Sequence, residues 1–170
     1  MRPLLLLDID GPLNPFAAPP GARPAGFTEH RFRLSGWSRR TPLRMWLNPD
    51  HGPDLLALAE RTGLEMAWAT TWEHRANTMI GPAIGLPSLP VITFAGASSS
   101  WKYPAVARYA YERPLVWLDD DFDLYPAPRD AFLAKRAPLP TELIPVNPRE
   151  GMSAAHLAAV ETWARTLPGS

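Results

Sequence analysis

A short apolar run near the N-terminus ends in two closely spaced aspartates. Residues 4–7 are four consecutive leucines, followed by Asp8 and Asp10 and then by Gly11. Four apolar residues cannot span a membrane, and an unbroken run of this length is typical of a strand buried on both faces of a parallel sheet. Ligands of open α/β sheets bind at the carboxyl ends of the strands. Two carboxylates placed there repel each other unless a cation or a shared proton separates them, so the segment predicts a site.

The rest of the chain alternates between strand-like and helical patterns. Further strands are predicted at 64–69, 89–94, 115–118 and 143–146, and helices at 53–61, 72–80, 102–111 and 153–167. This alternation predicts an α/β fold with a doubly wound, Rossmannoid parallel sheet of five strands. The order 5-4-1-2-3 would bring the ends of strands one, two and four together, with Asp8 on the central strand. At 170 residues, the chain is expected to form one domain, residues 1–170.

Composition excludes some kinds of chemistry. The chain has no cysteine, which rules out disulfides, thiolate metal sites and cysteine nucleophiles. Its formal net charge is +0, so no global field attracts nucleic acid or a membrane, although local patches can. The apolar run at 4–7 is too short for a signal peptide, and we therefore expect a cytoplasmic protein with no membrane partner.

Polar side chains follow three of the predicted strands. Asp8 and Asp10 follow the first, Thr70 follows the second, and three aspartates at 119–121 follow the fourth. Lys102, one of only two lysines, lies near a helix start between the last two. Transfer of a phosphoryl group needs such groups: one carboxylate to attack phosphorus, a second to handle a proton, and a hydroxyl and an ammonium to hold phosphate oxygens. Because Mg²⁺ prefers oxygen ligands, the aspartates also predict Mg²⁺ as the cofactor.

The order and spacing of these residues resemble the four motifs of the haloacid dehalogenase (HAD) superfamily, whose members are mostly phosphatases. The resemblance covers residues 4–123. It implies that Asp8 is the nucleophile that becomes an aspartyl-phosphate, and that Asp10 is the general acid/base. It also implies that Thr70 binds phosphate and that Lys102 steadies the nucleophile and the phosphoryl charge.

The same resemblance implies a metal site. Its ligands would be Asp8, the main-chain carbonyl of Asp10, and the acidic pair Asp119 and Asp120, with Asp120 as the direct ligand of that pair. The third aspartate, Asp121, leaves the register of the pair open by one residue.

Three short stretches of sequence resemble one subgroup of the HAD superfamily. Residues 10–15 (Asp-Gly-Pro-Leu-Asn-Pro), 68–72 (Trp-Ala-Thr-Thr-Trp) and 117–120 (Trp-Leu-Asp-Asp) are similar to small HAD proteins related to the phosphatase domains of RNA-repair, polynucleotide phosphatase-like enzymes. In the second stretch Thr71 is an alternative to Thr70 as a phosphate contact, and Trp72 is a candidate contact for the leaving group.

About forty residues separate the first motif from the first predicted helix. Residues 14–50 leave no room for a large cap domain, and predict a loop and a β-hairpin with strands at 31–34 and 43–47. The hairpin carries five arginines and three aromatic residues, and Arg39 and Arg40 are its candidate substrate contacts. The alternative is an edge hairpin that its charges keep soluble.

These features predict a Mg²⁺-dependent phosphohydrolase that acts through an aspartyl-phosphate. Its partner would be a phosphorylated substrate, either a nucleic-acid end or nucleotide or, alternatively, a small metabolite. A second possibility is a non-catalytic module that binds phosphate groups. The presence of both Asp8 and Asp10 favours the enzyme, since a binding module needs no nucleophile and gains nothing from crowded charge. The oligomeric state is left open.

Overall fold

The computed structural model describes residues 1–34, 41–94 and 101–168. Along the chain, the strands and helices are β1 (Leu4–Leu7), β2 (Thr28–Phe32), β3 (Leu43–Leu47), α1 (His51–Thr62), β4 (Glu65–Trp68), a π-helix (Ala76–Ile80), α2 (Gly81–Ile84), α3 (Tyr103–Tyr109), β5 (Leu115–Asp119), α4 (Pro126–Lys135), β6 (Thr141–Pro145) and α5 (Ala154–Ala164).

The main sheet confirms the predicted α/β class. Its four described strands are all parallel and lie in the order β4-β1-β5-β6. After β1 the chain forms β4 on one side of it, and later returns to form β5 on the other side. The order of the strands therefore reverses between β1 and β5, and such a switch point is where open α/β sheets bind ligands.

Strand β1 is buried on both faces because helices cover the sheet on both sides. Leu5 and Leu7 belong to the core cluster that includes residues of α1 and α5, whereas Leu4 and Leu6 belong to the cluster that includes residues of α3 and α4. All four leucines are at most 1% exposed. Burial of each such side chain contributes about 1.5–3 kcal/mol, which fixes β1, and the aspartates that follow it, in the middle of the fold.

The predicted third strand, residues 89–94, forms only a single parallel bridge, at Val91 beside the end of β4. Pro90 has no N–H to donate to a sheet. The side chain of Asn77, in the π-helix, instead holds this segment: it donates to the carbonyl oxygen of Leu89 at 2.7 Å and accepts from its N–H at 2.9 Å. The observed strands β6, β5, β1 and β4 correspond to the predicted strands five, four, one and two, in the predicted order. Within the described residues, the predicted strand three does not form a strand of this sheet.

The helices differ from prediction in three places. Of the helix predicted at 72–80, residues 72–74 form a turn, and residues 76–80 form the π-helix. The helix predicted at 72–80 was expected to stop at Gly81, but helical backbone continues through α2 to Gly85, which has φ +80°. That prediction was wrong because Pro82 falls in the first turn of α2, where a proline needs no N–H partner. Helix α4 was not predicted at all. It also begins with proline, and its sequence therefore has the appearance of a loop.

Strands β2 and β3 form a separate antiparallel pair in which Thr28 is opposite Leu47. Against the predicted strand at 31–34, β2 begins three residues earlier and ends two residues earlier, and its five residues pair with the five residues of β3. The connection at 35–40, with Arg39 and Arg40, lies outside the described residues. In the described part of the chain, no helix is both long enough and apolar enough to cross a membrane.

Candidate active site

The carboxyl ends of β1 and β5 bring Asp8, Lys102 and Asp119 into one buried cluster. The Lys102 ammonium donates to Asp8 Oδ2 at 2.8 Å and to Asp119 Oδ2 at 2.6 Å. The other carboxylate oxygens accept main-chain N–H groups: Ile9 donates to Asp8 at 2.7 Å and Asp121 donates to Asp119 at 3.2 Å. Asp8, Lys102 and Asp119 are 6%, 5% and 0% exposed. The arrangement fixes the Asp8 carboxylate at the switch point of the sheet.

Lys102 directly precedes α3 and follows a residue with unusual backbone geometry. Trp101 has φ +53°, a left-handed conformation that is costly for a non-glycine residue and persists only where its surroundings impose it. The indole of Trp101 stacks on Trp117 at 5.4 Å, and the Lys102 ammonium lies 4.7 Å from the Trp101 ring. Burial opposes the charged form of Lys102, but Asp8 and Asp119 outweigh it and raise the pKa of Lys102 above its usual value.

A third carboxylate adjoins this cluster. Asp8, Asp119 and Asp120 each offer an oxygen, and these oxygens lie within 4.8 Å of one another. Three carboxylates against one ammonium leave two negative charges in excess when all are ionised. Burial, the charge of Asp121 and the charge of Asp8 raise the pKa of Asp120 to about 6. The oxygen donor set and the excess negative charge fit a hard divalent cation such as Mg²⁺.

Gly11 lets the turn after β1 pass close to the Asp120 side chain. Its φ is +93°, in the region that favours glycine, and a Cβ atom on it would lie 2.5 Å from Cγ of Asp120. Glycine is therefore needed twice here, for the backbone turn after Asp10 and for the space that the Asp120 carboxylate occupies.

The Asp10 carboxylate lies beside the cluster and is held by side chains from other parts of the chain. Asn14 donates to Asp10 Oδ1 at 2.8 Å, and the Trp72 indole donates to Asp10 Oδ2 at 2.9 Å. Burial raises the pKa of Asp10, although both hydrogen bonds favour its ionised form. The side-chain oxygen of Asn14, Oδ1, accepts from the main-chain N–H of Trp46 at 3.1 Å, which ties the Asp10–Asn14 pair to β3. Asp10 and the two-stranded sheet thus form one connected unit.

The two threonines after β4 have different environments. Thr70 is 0% exposed, and its hydroxyl accepts a long hydrogen bond, 3.4 Å, from the N–H of Trp72. Thr71 is exposed and lines a cavity together with Asp10 and Trp72. The Thr70 hydroxyl therefore lies inside the fold, whereas Thr71 lies at the wall of the cavity.

The structure brings most of the sequence-predicted residues to this edge of the sheet. Asp8, Lys102, Asp119 and Asp120 are close together, whereas the Asp10 side chain is bound to Trp72 and Asn14 and is not among the three clustered carboxylates. Sequence reasoning did not assign a role to Asn14. Its place in the motif at 10–15 was the only signal, because its partners are Asp10 and the main chain of β3, 32 residues away.

A parallel sheet between two helical layers, with carboxylates and a lysine gathered where β1 and β5 end, defines an α/β protein of the HAD-like type. Comparison of sequences gives the family: residues 4–157 match the one described as "HAD domain in Swiss Army Knife RNA repair proteins". The chain belongs to this family, and the resemblance inferred from its motifs is confirmed. Membership supports a phosphohydrolase of the HAD type.

No curated protein shows a significant match to this chain. Nor does any solved structure.

Proposed function

We propose that this protein is a Mg²⁺-dependent phosphohydrolase that acts through an aspartyl-phosphate. The observation that carries the proposal is the cluster at the ends of β1 and β5: the Asp8 carboxylate is held by the Lys102 ammonium at 2.8 Å, with two further carboxylates within 4.8 Å. A carboxylate fixed in this way at a sheet switch point can attack an electrophile without first losing a shell of water.

In the first step, an oxygen of Asp8 forms a bond to phosphorus as the bond between phosphorus and the leaving oxygen breaks. Asp10 gives the leaving oxygen a proton. In the second step, Asp10 takes a proton from water as that water attacks the aspartyl-phosphate, which releases inorganic phosphate and restores Asp8. Trp72 and Asn14 orient the Asp10 carboxylate for both steps.

We propose that three groups bind Mg²⁺ directly: the carboxylates of Asp8 and Asp120 and the main-chain carbonyl of Asp10. The carboxylate of Asp119, which lies beside those of Asp8 and Asp120, would complete the acidic site. Bound there, Mg²⁺ would neutralise negative charge on the phosphate oxygens. Asp120 is the direct ligand of the acidic pair in this proposal, because Asp119 is 0% exposed and is engaged in the contact with Lys102 at 2.6 Å, whereas Asp120 is only partly buried.

The remaining phosphate oxygens require donors. Lys102 provides one, and the hydroxyl of Thr70 or Thr71 a second. Because Thr71 is exposed and lines the cavity beside Asp10, we propose that it also contacts the substrate beyond the phosphate. Substrate contacts by Arg39 and Arg40, which lie outside the described residues, remain part of the proposal. We further propose one domain over 1–170, with the segment at 14–50 as a small flap.

A phosphorylated nucleic-acid end or nucleotide is the preferred substrate class, in keeping with the RNA-repair family, and a small phosphorylated metabolite is the alternative. The test is a panel of phosphate esters that spans nucleotides, sugar phosphates and phosphorylated oligonucleotides, assayed for phosphate release with Mg²⁺ and with a chelator. We expect release that requires Mg²⁺ and that is fastest with nucleotide substrates. No release from any ester would overturn the proposal, and preference for sugar phosphates would select the alternative.

Replacement of Asp120 by asparagine should raise the Mg²⁺ concentration needed for half-maximal activity by about tenfold or more, because a neutral amide is a weaker ligand for a hard cation. The measurement is activity against Mg²⁺ concentration. Asp121→Asn is the matched control, since it removes an exposed aspartate next in the chain. If Asp121→Asn has the larger effect, the acidic pair is displaced by one residue.

Replacement of Gly11 by alanine should lower stability by about 1–3 kcal/mol through backbone strain and should also raise the Mg²⁺ requirement by displacing Asp120. Gly21→Ala separates the two effects. Gly21 has φ +83°, but nothing lies within 4 Å of an added Cβ there. We expect both variants to lose stability on thermal unfolding, and only Gly11→Ala to need more Mg²⁺. Equal Mg²⁺ requirements would show that the Gly11 contact with Asp120 has no effect on the metal.

A further inference from the structure

A cavity of about 440 Å³ opens beside Asp10, between the two-stranded sheet and the segment after β4. Its walls include Asp10 and Trp72 from the site, Phe16 and Leu43 from the flap, and two arginines, Arg44 and Arg75. This volume is within the range of about 300–1,000 Å³ that is typical of small-molecule sites.

The position of the cavity defines which part of a substrate it can receive. Asp10 lines it, whereas Asp8, Lys102 and Asp119 do not. In the proposed reaction Asp10 protonates the leaving oxygen, so the leaving group must lie on the side of Asp10. The cavity therefore belongs to the leaving group and not to the phosphate that is transferred.

Aromatic and apolar side chains form part of the wall. The Trp72 indole is partly buried and is held at its edge by the hydrogen bond to Asp10, which leaves the ring in a fixed position. Phe16 is 58% exposed, and it lines the same cavity. Aromatic side chains in such a position can stack on a flat ring, as they do with nucleobases, at about 1–3 kcal/mol for each base.

The two arginines supply positive charge to the wall of the cavity. A hydrogen bond from Arg31 lowers the pKa of the exposed Glu29 carboxyl, and the charge of Arg44 contributes to that shift. Across residues 1–34, 41–94 and 101–168, neither Arg44 nor Arg75 forms an ion pair with an aspartate or glutamate. The Arg44 guanidinium lies 5.2 Å from the Trp46 ring, a contact that restrains it on β3. Guanidinium groups bind phosphate with paired hydrogen bonds, and two of them beside an apolar wall favour a ligand that is both flat and anionic.

We propose that this cavity binds the leaving group of a nucleotide that carries a second phosphate, and that Arg44 and Arg75 recognise that second phosphate. The inference rests on the proposed function, because it assigns the leaving-group side from Asp10. It makes Arg44 and Arg75 specificity-determining residues: they select among phosphate esters and take no part in bond cleavage. A nucleoside bisphosphate and a phosphorylated oligonucleotide end both have this chemistry.

The experiment measures binding and turnover separately. Binding is measured by calorimetry with the Asp8→Asn variant and Mg²⁺, using adenosine 5′-monophosphate, adenosine 3′,5′-bisphosphate and an adenine dinucleotide with a terminal phosphate. Turnover of the same ligands is measured with the unmodified protein. Each is repeated with Arg44→Gln, Arg75→Gln and the double variant. Arg108→Gln is the control, since Arg108 is an exposed arginine on α3 that does not line the cavity.

We expect the ligands with two phosphates to bind about a hundredfold more tightly than the monophosphate, and each Arg→Gln change to remove about tenfold of that preference. In the double variant the affinities should converge, whereas Arg108→Gln should keep the preference. Tighter binding of the dinucleotide than of the bisphosphate would identify a nucleic-acid end as the ligand of the cavity. Tighter binding of the bisphosphate would identify a free nucleotide as that ligand.

Two results would overturn the inference. One is equal affinity of the Asp8→Asn protein for the monophosphate and the bisphosphate, and the other is an equal loss of affinity for both ligands when Arg44 or Arg75 is replaced. If Asp8→Asn fails to fold, the ratio of kcat/KM between the two ligands in the unmodified protein and in its arginine variants decides the same question. Failure of the proposed function looks different. Preferential, arginine-dependent binding without any turnover would keep Arg44 and Arg75 as the site for the second phosphate but would overturn the proposed phosphatase. Turnover without any preference would keep the phosphatase and overturn the assignment of the two arginines.

Discussion

Replacement of Asp8 by asparagine should lower phosphatase turnover by at least about a thousandfold, which corresponds to about 4 kcal/mol of transition-state stabilisation. A carboxamide is nearly the same size as a carboxylate but is a poor nucleophile. Stability should change by no more than about 1–2 kcal/mol, because the amide oxygen can still accept a hydrogen bond and Asp119 continues to hold Lys102 at 2.6 Å. The measurements are kcat with a phosphate ester and thermal unfolding.

Asp123→Asn is the control for this change. The Asp123 side chain is 90% exposed and lies after β5, so its replacement alters the charge of the chain equally without touching the cluster. We expect normal turnover in the control. Substantial turnover in Asp8→Asn would mean that a different group, or water directly, attacks phosphorus.

Replacement of Lys102 by methionine should lower the free energy of unfolding by about 3–5 kcal/mol, a large part of the total stability of a small domain. Methionine fills the space of the lysine stem but leaves Asp8 and Asp119, both at most 6% exposed, without their shared cation. Activity should be lost as well. Mg²⁺ should restore part of the stability, since it supplies positive charge at the same carboxylates; thermal unfolding with and without Mg²⁺ is the measurement.

The chain offers a close control, because Lys135 is its only other lysine and is exposed near the end of α4. Lys135→Met should change stability by less than about 0.5 kcal/mol. Lys102→Arg keeps the charge but replaces a compact ammonium by a broad planar group in a closed space, so most of the activity should still be lost. Near-normal kinetics in Lys102→Arg would remove Lys102 from the site.

The sequence was sufficient where a structural feature depends on neighbouring residues. The buried strand β1 follows from four consecutive leucines, and the end of α1 follows from Gly63, which takes a left-handed conformation with φ +68°. The HAD family follows from motif order. Sequence reasoning failed where proline occurs in two different structural settings. In α2 and α4 a proline lies in the first turn of a helix, whereas Pro90 lies in a predicted strand that does not form. Local sequence cannot separate these cases, because the missing N–H matters only if a partner would have needed it.

The sequence by itself determined which side chains end the buried strands, and therefore which chemical groups meet at the edge of a parallel sheet. Only the tertiary structure decided how those groups are connected. Lys102 lies between two carboxylates that are 94 and 17 residues away in the chain, and Trp72 binds Asp10 across 62 residues. The leaving-group cavity is likewise assembled from the flap, the first motif and the segment after β4. The physical reason is that these contacts depend on which strands are neighbours in the sheet and on the exact distance between their ends. Those distances are set by the packing of both helical layers against β1 and β5, and no short stretch of sequence contains that information.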